Sequence, residues 1–286
     1  MRSYLSLVRF SHTVFALPFA MIGLALGYKA VGNIEWILLV KVLLCMVFAR
    51  NAAMAFNRWA DERFDKANPR TSNREIPAGI ITKTNALRFV IINCIAFVAT
   101  TFFINWLCFW LSPIALVTIL GYSLTKRWTF LCHLILGCGL ALAPIGAYLA
   151  VAGKFSLLPL LFSGIVFYWV AGFDIIYALQ DEEFDKSNHL YSIPAKYGKK
   201  KALIISRILH VICACLVLFT TYELNAQIPQ SSWVIWIAVI AFISMLVYQH
   251  LLVKPNDLSK INLAFFTTNG IASVVFGGLI ILDLFL

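Results

Sequence analysis

The sequence predicts an all-α, polytopic membrane helix bundle with about nine transmembrane helices, on three observations. The chain of 286 residues is 61% hydrophobic and only 13% charged, with a mean hydropathy of +0.86. Its apolar residues gather in repeated runs of about 20, the length an α-helix needs to cross a bilayer. Its positive charges go with alternate connections between those runs. A soluble core of this length needs no such continuous hydrophobicity. No Pro/Gly/Ser-rich linker divides the runs, so residues 1–286 are expected to form a single domain.

The expected spans cover residues 11–31, 35–57, 86–105, 106–124, 130–151, 156–180, 202–222, 232–252 and 262–284. Arg2 and Arg9 ahead of the first give it the look of a secretory leader. No small-residue cleavage site follows, however, and eight further spans do, so it is expected to be retained. After the second span, Asn68-Pro69 and Ile76-Pro77-Ala78-Gly79 break helicity and shape a long loop. Spans three and four meet at Asn105-Trp106, where the apolar run is almost unbroken. Gly137 and Gly139 in the fifth span, and Gly277-Gly278 in the ninth, are small residues that let helices approach closely. His12, His133 and His210 stand alone and read as packing or interfacial residues. The seven cysteines lie scattered through apolar segments. Neither disulfide nor zinc spacing is present, so they read as small buried hydrophobes.

Of the 23 Lys and Arg, Lys29 and Lys154 go with odd-numbered connections, and Lys41 and Arg50 lie inside the second span. The rest go with the amino terminus and the even-numbered connections. The positive-inside rule then makes that side cytoplasmic and, with nine spans, puts the carboxyl terminus outside. The net charge of +10 follows from this asymmetry and from anionic lipid, and gives no reason to expect nucleic-acid binding.

Against this background, carboxylates are scarce and their placement is informative. One eight-residue pattern occurs twice, 120 residues apart, as Asp61-Glu62-Arg63-Phe64-Asp65-Lys66-Ala67-Asn68 and Asp181-Glu182-Glu183-Phe184-Asp185-Lys186-Ser187-Asn188. Six of the eight positions are identical, and the copies hold seven of the chain's 13 Asp and Glu. Helical spacing puts Arg50, Asn57, Asp61 and Asp65 in one stripe, and Asp174, Tyr177, Asp181 and Asp185 in another. Both stripes run from inside the bilayer to its cytoplasmic edge. If the two helices face each other, carboxylate and amide oxygens converge on one pocket, a donor set that suits Mg²⁺ with phosphate completing its shell.

The plainer alternative is solvated loop acids pairing with nearby Lys66 and Lys186. Two matched copies that continue into the bilayer as Arg50 and Asp174 weigh against it, since intramembrane charge is costly. Arg58, Arg63, Arg70, Arg74 and Lys83 in one loop, and Lys196 and Lys199–Lys201 in the other, could clamp phosphate. Cytoplasmic loops are basic in any case, so most of these lysines are expected to set topology alone. Tyr122 and Lys126, four residues apart, end span four on the same side. An ion or solute transporter is the other class of protein to weigh. A conduction path needs polar residues through the full thickness, whereas the outer-half segments here are nearly free of charge.

The two motifs resemble those of the UbiA superfamily of intramembrane prenyltransferases. Its Asn-x-x-x-Asp-x-x-x-Asp signature is matched by Asn57, Asp61 and Asp65, continuing through Asn68-Pro69-Arg70-Thr71 and Arg74-Glu75-Ile76-Pro77-Ala78-Gly79. Its Asp-x-x-Tyr-x-x-x-Asp-x-x-x-Asp signature is matched by Asp174, Tyr177, Asp181 and Asp185. Tyr122 with Lys126, and the opening Leu7-Val8-Arg9-Phe10-Ser11-His12-Thr13 and Leu17-Pro18, are similar too. Position 58 departs: Arg58 stands where 4-hydroxybenzoate enzymes usually carry a second Asp, which looks more like archaeal homologues and enzymes of the futalosine menaquinone pathway. The haem farnesyltransferase branch shares part of the first motif and lacks the acidic second one.

The resemblance implies a Mg²⁺-dependent aromatic prenyltransferase of quinone biosynthesis, integral to a bacterial inner membrane. It would move a polyprenyl chain from its diphosphate to a hydroxylated aromatic carboxylate, of the 4-hydroxybenzoate type or, alternatively, 1,4-dihydroxy-6-naphthoate. Two Mg²⁺ would sit on Asn57, Asp61 and Asp65 and on Asp181 and Asp185. Arg70, Arg74, Tyr122 and Lys126 would bind substrate, with Arg74 and Lys126 adding charge stabilisation. Arg50 would bind the acceptor's carboxylate, and Asp174 and Tyr177 would orient the acceptor or receive the ring proton.

Overall fold

A computed structural model describes residues 2–8, 15–33, 35–228 and 232–286. Arg9, Phe10, Ser11, His12 and Thr13, with the start of the first expected span, lie outside the described residues. The described chain is helical: α1 (Arg2–Leu7), α2 (Leu17–Val31), α3 (Trp36–Ala60), α4 (Glu62–Ala67), α5 (Lys83–Phe102), α6 (Trp106–Thr125), α7 (Cys132–Ala152), α8 (Leu157–Ala178), α9 (Glu182–Ser187), α10 (Ile193–Gln227), α11 (Val234–Leu252) and α12 (Asn269–Phe285). A π-helical stretch, Leu263–Thr268, leads into α12. Among the described residues, eight helical segments are long and apolar enough to cross a membrane, and α2 is a shorter apolar helix. Each of these nine overlaps one of the expected apolar runs, though α10 begins earlier than its run.

Local chemistry sets the helix ends. Pro18 opens α2 and Gly32, at φ +81°, closes it in the left-handed region that favours glycine. The break at Asn105, which the apolar pattern hardly marks, is made by one side chain. Its Oδ1 accepts from the Cys108 N–H at 2.8 Å, and its Nδ2 donates to the Leu149 carbonyl at 2.9 Å. The helix α10 starts nine residues before the expected span. Ser192 caps it by accepting from the Ala195 N–H at 3.2 Å, Pro194 occupies its first turn, and Gly198 kinks it at φ +76°.

The helices α2, α7, α8, α10, α11 and α12 pack in sequence into a closed ring, and α3, α5 and α6 form a second group joined to it through α7. Phe19, Trp169, Phe242 and Phe276 fill the ring's centre, with centroids 4.7 Å apart for Phe242 and Phe276 and 5.3 Å for Phe19 and Trp169. Gly137 lies against the Phe167 carbonyl and Gly277 against Pro18, too close for a Cβ, while Gly278 has open space and Gly139 only loose contact. The close-packing expectation therefore holds for one glycine of each pair. Cys213 is buried, but Cys138 and Cys215 are exposed, so the reading of all seven as buried hydrophobes is corrected. Trp36, Trp106, Trp110 and Trp233 are exposed as well. In a bilayer such residues face lipid rather than water.

Candidate active site

Both acidic copies begin where a long helix ends. α3 stops at Ala60, Asp61 takes φ −92° and ψ 5°, and the short α4 follows. α8 stops at Ala178, a 3-10 turn covers Leu179–Asp181, and Asp181 takes φ −102° and ψ 5° ahead of the short α9. Each long helix is thus interrupted by the first aspartate of its motif, which the spacing alone did not reveal. In the first copy the i to i−4 ladder still runs through the break. The Asp61 N–H bonds the Asn57 carbonyl at 3.0 Å, and the Asp65 N–H bonds that of Asp61 at 2.8 Å. Asn57, Asp61 and Asp65 therefore stay on one face.

The loop between α4 and α5 brings the copies together. Arg70 reaches across to Asp181, donating from Nε to Oδ1 at 3.1 Å and from Nη2 to Oδ2 at 2.6 Å. Its Nη1 donates to the Tyr177 hydroxyl at 3.3 Å, and Asn68 Nδ2 donates to Asp181 Oδ1 at 3.3 Å. Arg74 pairs with Asp65 at 2.6 Å. From the end of α6, Lys126 pairs with Asp61 at 2.5 Å, and Asn57 Nδ2 donates to the same Asp61 oxygen at 3.3 Å. Burial works against the Arg70 charge, but Asp181 and Tyr177 outweigh it and hold the guanidinium above its ordinary range. Burial pushes the Asp61 carboxyl above the usual carboxylate range, and Lys126 opposes that shift without cancelling it.

Asp185 accepts from the Ser192 hydroxyl at 2.8 Å. Tyr177 stacks on Phe265 with centroids 4.0 Å apart. Deeper in the bundle, α3, α5, α6 and α7 line a partly open apolar cavity of about 410 Å³. Arg50 and Tyr122 line it from the side of the acidic cluster, and Ile104, Ala150 and Phe155 from the opposite helix ends. Tyr122 lies within electrostatic reach of Asp61, Asp174 and Arg58, and Arg50 within reach of Tyr122.

Asp174 accepts from, or donates to, His133 Nδ1 at 2.7 Å. That contact corrects the reading of His133 as an isolated packing residue. His210 is buried, but it does not stand alone either, since it is bonded to His250 at 2.8 Å. Of the basic residues weighed, Lys196 lies over the Phe130 ring, Lys83 pairs with Glu62, and Lys186 pairs with Glu182, so that the plainer pairing holds for these glutamates. Sequence reasoning passed over His133 and Ser192. The Ser-x-Pro start of α10 marks a helix cap, but nothing in the sequence pairs Ser192 with Asp185.

Among the described residues, no three His, Cys, Asp or Glu side chains form a metal cluster by themselves, and Lys126, Arg74 and Arg70 occupy oxygens of Asp61, Asp65 and Asp181 respectively. The donors nevertheless suit magnesium. Asp61 Oδ1 and Asp65 Oδ2 are buried without a hydrogen bond, a costly state for carboxylate oxygens that a hard cation relieves. Mg²⁺ needs only one or two protein carboxylates when phosphate oxygens complete its shell.

Three known proteins are informative beside this geometry. A 4-hydroxybenzoate octaprenyltransferase from Aliivibrio fischeri is 28% identical over 252 residues, covering 88% of this chain and 86% of its own. The apo structure of a UbiA homologue from Aeropyrum pernix superposes with a TM-score of 0.82 at 28% identity, covering 95% of this chain and 98% of the other. A UbiA homologue from Archaeoglobus fulgidus bound to GPP and Mg²⁺ shares the fold, with a TM-score of 0.75 at 22% identity and coverage of 99% and 100%. The UbiA prenyltransferase family itself matches residues 16–271. This chain belongs to the UbiA prenyltransferase family.

Proposed function

We propose that the protein transfers a polyprenyl chain from its diphosphate to a ring carbon of a hydroxylated aromatic acid of the 4-hydroxybenzoate type. The observation that carries this reading is the Arg70 clasp on Asp181. It gathers both acidic copies, with Arg74 and Lys126, at one end of an apolar cavity that Tyr122 also lines. The relative from Aliivibrio fischeri is named for this acceptor and an octaprenyl donor. The Archaeoglobus fulgidus homologue holds a prenyl diphosphate with Mg²⁺.

In this reading Asn57, Asp61 and Asp65 would hold one Mg²⁺ and Asp181 and Asp185 another, which when bound would supply positive charge against the departing diphosphate. Arg70, Arg74 and Lys126 exchange from the carboxylates onto diphosphate oxygens, so the charges that balance the resting site later balance the leaving group. The prenyl tail lies in the apolar cavity, away from water. Arg50 binds the acceptor's carboxylate, and Tyr122 bounds the acceptor from α6. The allylic C–O bond breaks with its electrons passing to diphosphate, a C–C bond forms to the ring, and Asp174, oriented with Tyr177, takes the ring proton. In this reading the amino terminus and this site face the cytoplasm and the carboxyl terminus lies outside, as the positive-inside rule would have it, in a bacterial inner membrane like that of the bacterial relative.

The test uses detergent-purified protein and a labelled prenyl diphosphate, with and without Mg²⁺. It offers 4-hydroxybenzoate and 1,4-dihydroxy-6-naphthoate separately, with Asp61→Ala and Asp181→Ala as controls. Mg²⁺-dependent product with 4-hydroxybenzoate, lost in both variants, is expected. Product with the naphthoate alone moves the acceptor to that compound. Absence of diphosphate binding brings the transporter reading forward. Arg50→Ala should raise the acceptor KM by about tenfold or more, and an unchanged KM refutes its assignment.

A further inference from the structure

His133 sits in the first turn of α7 with its ring buried. The Ile193 N–H at the start of α10 donates to its Nε2 at 3.4 Å. That bond makes Nε2 an acceptor, so the ring proton lies on Nδ1 and points at Asp174 Oδ2, 2.7 Å away. Asp174 is partly exposed at this point, with Tyr122 within electrostatic reach. The residue before Ile193, Ser192, holds Asp185 at 2.8 Å. The Tyr191 N–H bonds the Lys126 carbonyl at 2.6 Å. The short segment Tyr191-Ser192-Ile193 therefore ties together the end of α6, the second acidic copy and, through His133, Asp174.

We infer that His133 is a positioning residue that acts through Asp174. Its Nδ1–H fixes one carboxylate oxygen, leaving the other turned toward the acceptor to take the ring proton. The inference rests on the role proposed for Asp174. A group that merely packed would need no donor facing a carboxylate, and no backbone N–H to choose its tautomer.

The test measures kcat and both KM values in the full chain in detergent for His133→Leu, His133→Asn, Asp174→Asn and the double variant His133→Leu/Asp174→Asn, with thermal unfolding of each. His133→Leu should lower kcat by about 10- to 100-fold, part of what a positioned base contributes, with the KM for prenyl diphosphate within about twofold. His133→Asn, whose Nδ2 takes the place of Nδ1, should recover to within about threefold of the unsubstituted rate. The double variant should be no slower than Asp174→Asn alone, as for two residues acting as a unit. Full activity in His133→Leu beside a slow Asp174→Asn overturns the inference and leaves the role of Asp174 standing. Full activity in Asp174→Asn overturns that role and the inference with it. If the leucine variant fails to fold, His133→Gln replaces it. Its amide reaches the Nε2 position instead, so it should stay slow while His133→Asn does not, and equal rates for the two overturn the inference.

Discussion

The two acidic copies share sequence and backbone but are neutralised in different ways. In the first, Asp61 and Asp65 are buried, and each is paired with a cation, Lys126 or Arg74. In the second, Asp181 is partly exposed and borrows Arg70 from the other copy's loop, while Asp185 has a neutral hydroxyl from Ser192. The difference follows from what comes next in the chain. After Asn68 the chain runs to Lys83 before α5 begins, a connection long enough to carry Arg70 and Arg74 back over the site. After Asn188 the helix α10 starts at Ile193, leaving room only for a turn, with His189 at φ 53°, and a helix cap. One loop thus serves both copies, and the site is chemically asymmetric despite its repeat.

The largest effects should come from the aspartates that open each copy. Asp61→Asn and Asp181→Asn should each reduce prenyl transfer by about 100- to 1000-fold, the scale of losing a preorganised electrostatic group. Their effects on stability should separate. Burial already holds the Asp61 carboxyl above its usual range, so the folded site disfavours the charge, and a neutral isostere relieves it. Without Mg²⁺, Asp61→Asn should unfold at or above the temperature of the unsubstituted protein. Asp181→Asn weakens a two-bond pair with Arg70, which is a third exposed, and should cost under about 1 kcal/mol. A lower unfolding temperature for Asp61→Asn than for Asp181→Asn breaks the comparison.

A smaller separation is expected between the two arginines of the shared loop. Arg70→Ala and Arg74→Ala should both raise the KM for prenyl diphosphate, by about tenfold, since each removes one charge-assisted contact to the leaving group. Only Arg74→Ala should also destabilise the protein, by about 1–3 kcal/mol, because it strands the buried Asp65. Arg70 is the more exposed of the two, and Asp181 keeps its bond from Asn68 when Arg70 is removed. Steady-state kinetics and thermal unfolding of the two variants measure both contrasts.

The sequence made the helices and the aspartates legible for different reasons. Apolar runs must be about 20 residues long in a bilayer, so their positions follow from composition alone. The aspartates stand out because charge is rare around them. What could not be read is whatever depends on contact between distant segments. Arg70 to Asp181 spans 111 positions and His133 to Asp174 spans 41, and no periodicity encodes either. His133 looked isolated because its partners lie on α8 and at the start of α10. The helix breaks at Asp61 and Asp181 were hidden too, since a single residue in the bridge region at Asp61 and one 3-10 turn before Asp181 leave the sequence spacing of the motifs unchanged.

The smallest expected effect concerns the two positions at which the copies differ. Arg63 and Ala67 in the first copy, and Glu183 and Ser187 in the second, are all exposed, while the shared positions Asp61, Asp65 and Glu182 are buried. The repeat therefore differs only where its side chains meet solvent. An Arg63→Glu/Glu183→Arg exchange reverses the charge at the third position of each copy and leaves Lys126, Arg74, Arg70 and Ser192, the partners of the four aspartates, in place. Unfolding temperature should move by the equivalent of no more than about 0.5 kcal/mol, and kcat/KM should stay within about twofold. A tenfold fall in kcat/KM would mean that the asymmetry of charge at the rim helps to draw in the diphosphate. In that case the division between a shared working face and a variable solvent face is drawn in the wrong place.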